Sequence, residues 1–196
     1  MNASRTASIT RKTKETAIRL SLDLDGAGVS TVSTGIGFLD HMLTLLSRHS
    51  LINLDVECKG DTEVDYHHTV EDVGLAFGSA LDEALGERRG IRRYGFFLLP
   101  MDESLAQVAL DLGGRPFLAY ANGVKSSFVR DFDTGLFEEF FRAVCVNARM
   151  NLHIRVEGNE AHHAIEGVFK GFARALRAAI ERDPRDGAIP SSKGVL

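Results

Sequence analysis

Two short stretches put histidine and carboxylate where one helical turn would bring them together. In "DYHHTVED" (65–72), His67 and Glu71 are four residues apart, and in "AHHAIEG" (161–167) His162 and Glu166 repeat that spacing. Residues i and i+4 share a helix face, so each pair can grip one ion. The adjacent His68 and His163 are rotated by ~100° and cannot easily serve the ion held by the residue beside them. Two ions solve the geometry: His67 with Glu71 holds one, His162 with Glu166 holds the other, and His68 and His163 each reach across. His41, in "FLDHML", opens an earlier helix and is placed to add a ligand, with Asp40 as a partner for an imidazole N–H. A single H-x-x-x-E is common on solvated helices. Its recurrence with the doubled histidine, while most neighbours diverged, is what points to metal. Imidazole and carboxylate without thiolate suit manganese, iron, zinc or nickel and do not choose among them. Mixed His/Glu sites with open positions belong to catalysis more than to structural staples.

A cationic set accompanies these ligands. Arg93 closes "GIRR", Arg115 follows two glycines in "DLGGRP", and Lys170 lies one turn past Glu166 on the same face. The tail "IPSSKGVL" offers Ser191, Ser192 and Lys193. Gathered near two ions, these residues would form a phosphate clamp. His153 alternates on the polar side of a strand and reads as exposed or structural. His49, in "SRHS", reads as a helix-end residue rather than a ligand.

The elements that position these side chains are written twice. "ETAIRLSLDLDG" (15–26) lies on "ESLAQVALDLGG" (103–114), and "LDHMLTLLSRHSLINLDVECKG" (39–60) lies on "FEEFFRAVCVNARMNLHIRVEG" (137–158) without a gap. The loop after Gly158 is three residues shorter than its partner after Gly60, and the connection after Gly114 is ten longer than that after Gly26. Within the first copy, Ile18, Leu20, Leu22 and Leu24 alternate with polar residues as a half-buried strand. "VSTVS" (29–33) follows a Gly-containing turn and reads as its hairpin partner. Residues 37–49 carry apolar side chains at helical spacing, Leu54, Val56 and Cys58 alternate again, and 69–85 form a second helix. The expectation is an α+β fold built from a duplicated β-β-α-β-α unit, with two sheets and helices packed between or behind them. The halves fall at about 1–93 and 94–185, followed by a tail over 186–196.

Composition narrows the rest. The 196 residues carry a formal charge of -4, with 44% hydrophobic and 26% charged residues. No Lys/Arg run calls for nucleic acid or an anionic membrane, no apolar stretch approaches the ~20 residues of a membrane span, and no nucleotide-binding glycine motif appears. The start "MNASRTASITRKTKET" lacks the apolar core of a signal peptide, which reads as cytoplasmic. Cys58 and Cys145 sit among apolar neighbours and read as two buried thiols, ahead of a disulfide or a thiolate metal site.

"GIGFLDHML", "DYHHTVEDVG", "LDLGGRP", "HHAIEGVFKGFARAL" and "PSSKG" together resemble the imidazoleglycerol-phosphate dehydratase family of histidine biosynthesis, over nearly the whole chain. The resemblance implies a lyase that removes water from D-erythro-imidazole-glycerol phosphate to give imidazole acetol phosphate. It implies two manganese ions per subunit and a homo-oligomer of 24 subunits with sites at their interfaces. Metal ligands would be His41, His67, His68, Glu71, His162, His163 and Glu166. Substrate contacts would be Glu15, Arg93, Arg115, Lys170, Ser191, Ser192 and Lys193. Ions on both ring nitrogens would make the substrate an imidazolate able to expel hydroxide through a diazafulvene-like intermediate. Glu15 is the first choice to move the proton, with Glu71 and Glu166 as alternatives if a metal releases one. The chain departs from the family at "FEEFF", where many members have histidine. The repeat sets Glu139 opposite His41, so Glu139 is expected as an eighth ligand, with Glu138 a competing candidate. A two-metal phosphoesterase and a metal-storage assembly are the rival readings. The cationic set argues against storage, and the scarcity of bridging carboxylates argues against the esterase.

Overall fold

The structure, a computed structural model, describes residues 4–125 and 127–196. The first half runs β1 (Thr6–Lys12), β2 (Thr16–Asp23), β3 (Ser30–Ser33), α1 (Gly37–Ser50), β4 (Asn53–Gly60) and α2 (His67–Leu85). The second runs β5 (Tyr94–Met101), β6 (Ser104–Asp111), β7 (Phe117–Val124), a short hairpin β8 (Phe128–Val129) and β9 (Phe132–Asp133), α3 (Leu136–Asn147), β10 (Asn151–Gly158) and α4 (Ala161–Ile180). The fold is α+β, with two four-stranded sheets ordered β1-β2-β4-β3 and β5-β6-β10-β7. The matching orders are what a duplicated unit produces. The ten extra residues of the second half supply the β8–β9 hairpin.

Two details differ from the sequence expectation. Each half opens with one more strand: β1 pairs antiparallel with β2, and β5 with β6. In addition, β3 is not the hairpin partner of β2. It lies at the far edge, parallel to β4, because β1 already occupies the free side of β2 and β4 occupies the other.

Alternation decides which face of each sheet is buried. Ile18, Leu20 and Leu22 of β2 and Leu54 and Val56 of β4 turn inward, as do Ala106, Val108 and Leu110 of β6 and Leu152, Ile154 and Val156 of β10. Helices cover those faces: α1 and α2 on the first sheet, α3 and α4 on the second. The two helical layers then pack on each other, α1 against α4 and α2 against α3, so both helical layers lie between the sheets. Phe137, Phe140, Phe141, Phe169 and Phe172 fill the seam and are fully buried. The α2–α3 approach is close enough to require glycine: a Cβ on Gly74 would stand 2.7 Å from the Phe140 carbonyl oxygen, and one on Gly78 2.8 Å from that of Val144. Cys58 and Cys145 are free and buried; burial pushes their thiols up to about 11 and about 12. No helix among the described residues is long and apolar enough to cross a membrane.

Candidate metal and substrate site

Both histidine pairs stand in the first turn of a helix that follows a short loop from a sheet strand. His67 and His68 open α2, and His162 and His163 follow Ala161 at the start of α4. The Glu160 carboxylate caps α4 by accepting from the His163 N–H at 2.9 Å. Because α1 crosses onto α4, His41 of the first half reaches the ligands of the second. His41 Nε2 lies 2.7 Å and His162 Nε2 2.9 Å from the same Glu166 oxygen, Oε1. The other oxygen, Oε2, accepts from Lys170 one turn along the helix. Burial alone would push the Glu166 carboxyl up; the hydrogen bonds from Lys170, His41 and His162 outweigh it and bring it to about 2. Glu166 is 8% exposed, so this ionised carboxylate is held in place by three partners.

Among the described residues, His41, His162 and Glu166 form a group whose ligand atoms all lie within 4.8 Å of one another. Two imidazole nitrogens and one carboxylate oxygen, open to solvent on the histidine side, fit a borderline or hard divalent cation. His67 and Glu71 form the corresponding pair on α2, at 3.3 Å. Glu139, on α3 where His41 stands on α1, is not brought into a three-ligand group with them among the described residues. It pairs instead with Arg142, whose Nε lies 3.5 Å from Glu139 and whose Nη2 lies 2.7 Å from Glu138. The pseudo-symmetric position is therefore kept, and the contact is not.

His68 and His163 diverge from their neighbours as the helical rotation demands, with ring planes at 89° and 85° to those of His67 and His162. Within one chain they do not reach across to the opposite pair. His68 Nδ1 meets Asp61 at 3.0 Å, which raises its pKa, and Nε2 lies 3.8 Å from Glu15. His163 Nδ1 meets Glu103 at 3.4 Å, which likewise raises its pKa. Each acid occupies Nδ1 and leaves Nε2 as the free ligand atom, the arrangement that outer carboxylates impose on metal-binding histidines. Among the described residues, Asp40 meets Thr34 rather than an imidazole: its Oδ1 accepts from the Thr34 N–H at 2.8 Å and from the Thr34 hydroxyl, tying the loop to the first turn of α1.

An aromatic wall stands between the two histidine pairs. Phe38 packs against His162 at 5.3 Å and against Phe132 at 5.5 Å, and Tyr66, just before His67, stacks on Phe132 at 5.9 Å. Phe132 comes from the hairpin inserted in the second half. Sequence reasoning missed this wall and also Asp61 and Glu103. Glu103 was within reach of the repeat, which sets it opposite Glu15; nothing in the spacing of Asp61 singled it out.

The cationic residues do not gather at this end. Lys170 does, but Arg93 sits where β5 begins, with Nε donating to Asp111 Oδ1 at 2.6 Å and Nη1 to the Pro190 carbonyl at 2.9 Å. Its backbone N–H binds the Ala179 carbonyl near the end of α4. Gly114, with φ +79, lies against Leu196, and Arg115 beside it is exposed. In the tail, Ser191 Oγ accepts from the Lys193 N–H at 3.2 Å, and Ser192 and Lys193 are exposed. Arg93, Arg115 and the tail thus cluster at one end of the second sheet, while Glu103, His163 and Lys170 lie at the other. The eight residues of β6 separate them, roughly 25 Å at the rise of an extended strand. His153 is exposed on the outer sheet face, and His49 lies in the last turn of α1.

The sequence pattern of the imidazoleglycerol-phosphate dehydratase family matches residues 34–176. The chain belongs to the imidazoleglycerol-phosphate dehydratase family. It is 54% identical to the imidazoleglycerol-phosphate dehydratase of Gluconacetobacter diazotrophicus over the full length of both. Against that of Listeria welshimeri it is 56% identical, covering 98% of this chain and 100% of the relative. Its fold superposes on the imidazoleglycerol-phosphate dehydratase of Staphylococcus aureus with a TM-score of 0.83, at 40% identity over 91% of this chain and 99% of that one. The Pyrococcus furiosus IGPD gives 0.84 at 32% identity, over 96% and 100%. The chain is accordingly a hydro-lyase of histidine biosynthesis.

Proposed function

We propose that the chain removes water from D-erythro-imidazole-glycerol phosphate at sites that two subunits build together, each subunit carrying two manganese ions. The observation that carries the shared site is the separation just described: ligands at one end of the second sheet, phosphate-binding groups at the other. A small phosphate ester cannot span that distance within one chain. A neighbouring copy that presents its tail end to this chain's histidine end would bring the two sets together. The same packing would give His68 and His163, which turn away from their own chain's pairs, an ion to bind. A closed homo-oligomer of 24 subunits is one that would satisfy every such contact.

His41, His162 and Glu166 would hold one ion; His67 and Glu71, joined by Glu139 once Arg142 releases it, would hold the other. When bound, the ions supply a fixed positive field across the imidazole ring, which favours departure of hydroxide from the carbon attached to it. The chain's own residues do the rest. Arg93, Arg115, Ser191, Ser192 and Lys193 would bind the phosphate and fix the diol. Lys170 keeps Glu166 ionised and aimed. Glu15, half-exposed and near His68 Nε2, is placed to take the proton from the carbon next to the one that loses hydroxide. Loss of water from the diol leaves an enol, whose ketone form is the acetol product.

The test is product analysis with imidazole-glycerol phosphate before and after removal of metal. The proposal expects imidazole acetol phosphate, with the rate lost on chelation and restored best by manganese. Release of inorganic phosphate, or a full rate in metal-stripped protein, would refute it.

A further inference from the structure

The duplication supplies two equivalent glutamates, Glu15 and Glu103, each at the turn between the first two strands of its sheet. The structure treats them differently. The Glu103 carboxylate is used up locally: it accepts from the Ser104 hydroxyl at 3.0 Å and the Glu160 N–H at 3.1 Å, and it meets His163 at 3.4 Å. Among the described residues, the Glu15 carboxylate meets His68 alone, at 3.8 Å.

The cause lies one residue on. Thr16 is the counterpart of Ser104, yet its hydroxyl turns inward and donates to Asp72 Oδ2. Asp72 follows Glu71 on α2 and is 6% exposed; its Oδ1 accepts from Arg11 Nη2 at 2.8 Å. In the second half the matching positions are Leu99, by strand register, and Gly167, by the helix alignment. A polar trio in one half thus corresponds to an apolar pair of positions in the other, where a Cβ on Gly167 would stand 3.7 Å from Leu99. The trio bolts the β1–β2 turn to the same helical turn that carries His67, His68 and Glu71. The turn is further fixed by Thr13 Oγ1, which accepts from the Glu15 and Thr16 N–H groups, and by the Glu15 carbonyl, which accepts from the Asp61 N–H.

We infer that Asp72 and Thr16 are positioning residues for Glu15: by binding the Thr16 hydroxyl, Asp72 ties the β1–β2 turn to α2 and holds Glu15 aimed at the substrate. This rests on the reading of Glu15 as the proton-moving group. A group displaced by about 1 Å costs on the order of a hundredfold in rate, so Thr16→Val should lower kcat about tenfold to a hundredfold. KM and bound metal should stay within about twofold, and Thr16→Ser should restore most of the rate.

The deciding measurement is a double-mutant cycle on kcat with Glu15→Gln, run on the manganese-loaded full chain. If Thr16 acts through Glu15, Thr16→Val costs nothing further in the Glu15→Gln background. The isotope effect on kcat from substrate deuterated at the carbon that loses its proton should also rise in Thr16→Val, because proton transfer becomes slower than the other steps. If Thr16→Val fails to fold, Asp72→Asn takes its place in the same cycle. Independent, multiplying losses, or a wild-type rate in the folded variant, would overturn the inference. Glu15→Gln at the wild-type rate would instead refute the role of Glu15, and a parent enzyme without dehydratase activity would refute the proposed function itself.

Discussion

Glu166 and Glu71 occupy equivalent places in the two halves, and their replacement by glutamine should separate stability from metal binding. Glu166→Gln keeps the volume and removes the charge from a side chain that is 8% exposed. Its carboxylate serves Lys170, itself 20% exposed, and two imidazoles. Hydrogen bonds to charged groups contribute about 1.5–3 kcal/mol each, and the amide oxygen retains part of that. A net loss of about 2–3 kcal/mol follows, which for a domain of this size lowers Tm by about 4–12 °C. Glu71 is 43% exposed and, among the described residues, meets only His67, at 3.3 Å. Exposed pairs contribute at most about 1 kcal/mol, so Glu71→Gln should lower Tm by less than about 4 °C. The two variants should nevertheless both lose bound metal. Calorimetric melting in chelator, beside metal content measured by plasma mass spectrometry, checks the pair. The difference also has a pH signature. The Glu166 carboxyl falls from 4.5 to about 2 in the folded chain, so its contribution is complete above 4.5 and disappears as pH drops toward 2. The Tm gap between parent and Glu166→Gln should be full at pH 6 and close through that window. Equal melting of the two glutamine variants, or a gap that widens in acid, would refute the reasoning.

The other predictions concern ligands, tail and assembly. His67→Ala and His162→Ala should each abolish activity, since each removes one grip on a different ion; a wild-type rate in either disproves the pairing. Glu139→Ala should lose about one metal per subunit while Glu138→Ala should not, as measured by metal content; retention of both ions by Glu139→Ala would leave the second ion completed by other groups. Lys193→Ala and truncation before Pro190 should raise KM at least tenfold with metal content unchanged, and loss of metal at unchanged KM would contradict a phosphate-binding tail. Chelation should shrink the particle seen by light scattering, because ligands shared between copies gain affinity only when brought together; a fully active monomer in dilute solution would exclude shared sites.

Much of this was legible because duplication makes a pattern visible twice. The i, i+4 pairs His67–Glu71 and His162–Glu166 followed from helical geometry and face as expected. So does Lys170, one turn beyond Glu166. What spacing could not convey was the crossing of the helices. Only because α1 lies on α4 does His41 of one half complete the ligands of the other. The opening strands were hidden for opposite reasons. In β1, "TASITRK", one small and one partly buried apolar residue face the core, too little to mark a strand. In β5, "YGFFLLPM", apolar residues fall on both faces, with Phe96 and Leu98 exposed, so no period shows. The cationic residues were identified by type, but their grouping was not, because a strand carries its two ends far apart however near they seem in a list of motifs. Asp40 was assigned to an imidazole for its adjacency to His41; the helix turns it the other way, toward Thr34.

The placement of ligands at one end of the second sheet and phosphate-binding groups at the other has a genetic consequence. If working sites form between chains, a chain disabled only at its histidines still has a sound tail, and one disabled only at its tail still has sound histidines. Mixed in one particle and assayed at low substrate, two impaired proteins such as His162→Ala and Lys193→Ala would regenerate some intact sites, each borrowing its good end from a different chain. Alleles of this gene should therefore sort into two groups that rescue each other across groups and never within them. The border between those groups would trace, without any coordinates, which residues stand at which end of the subunit.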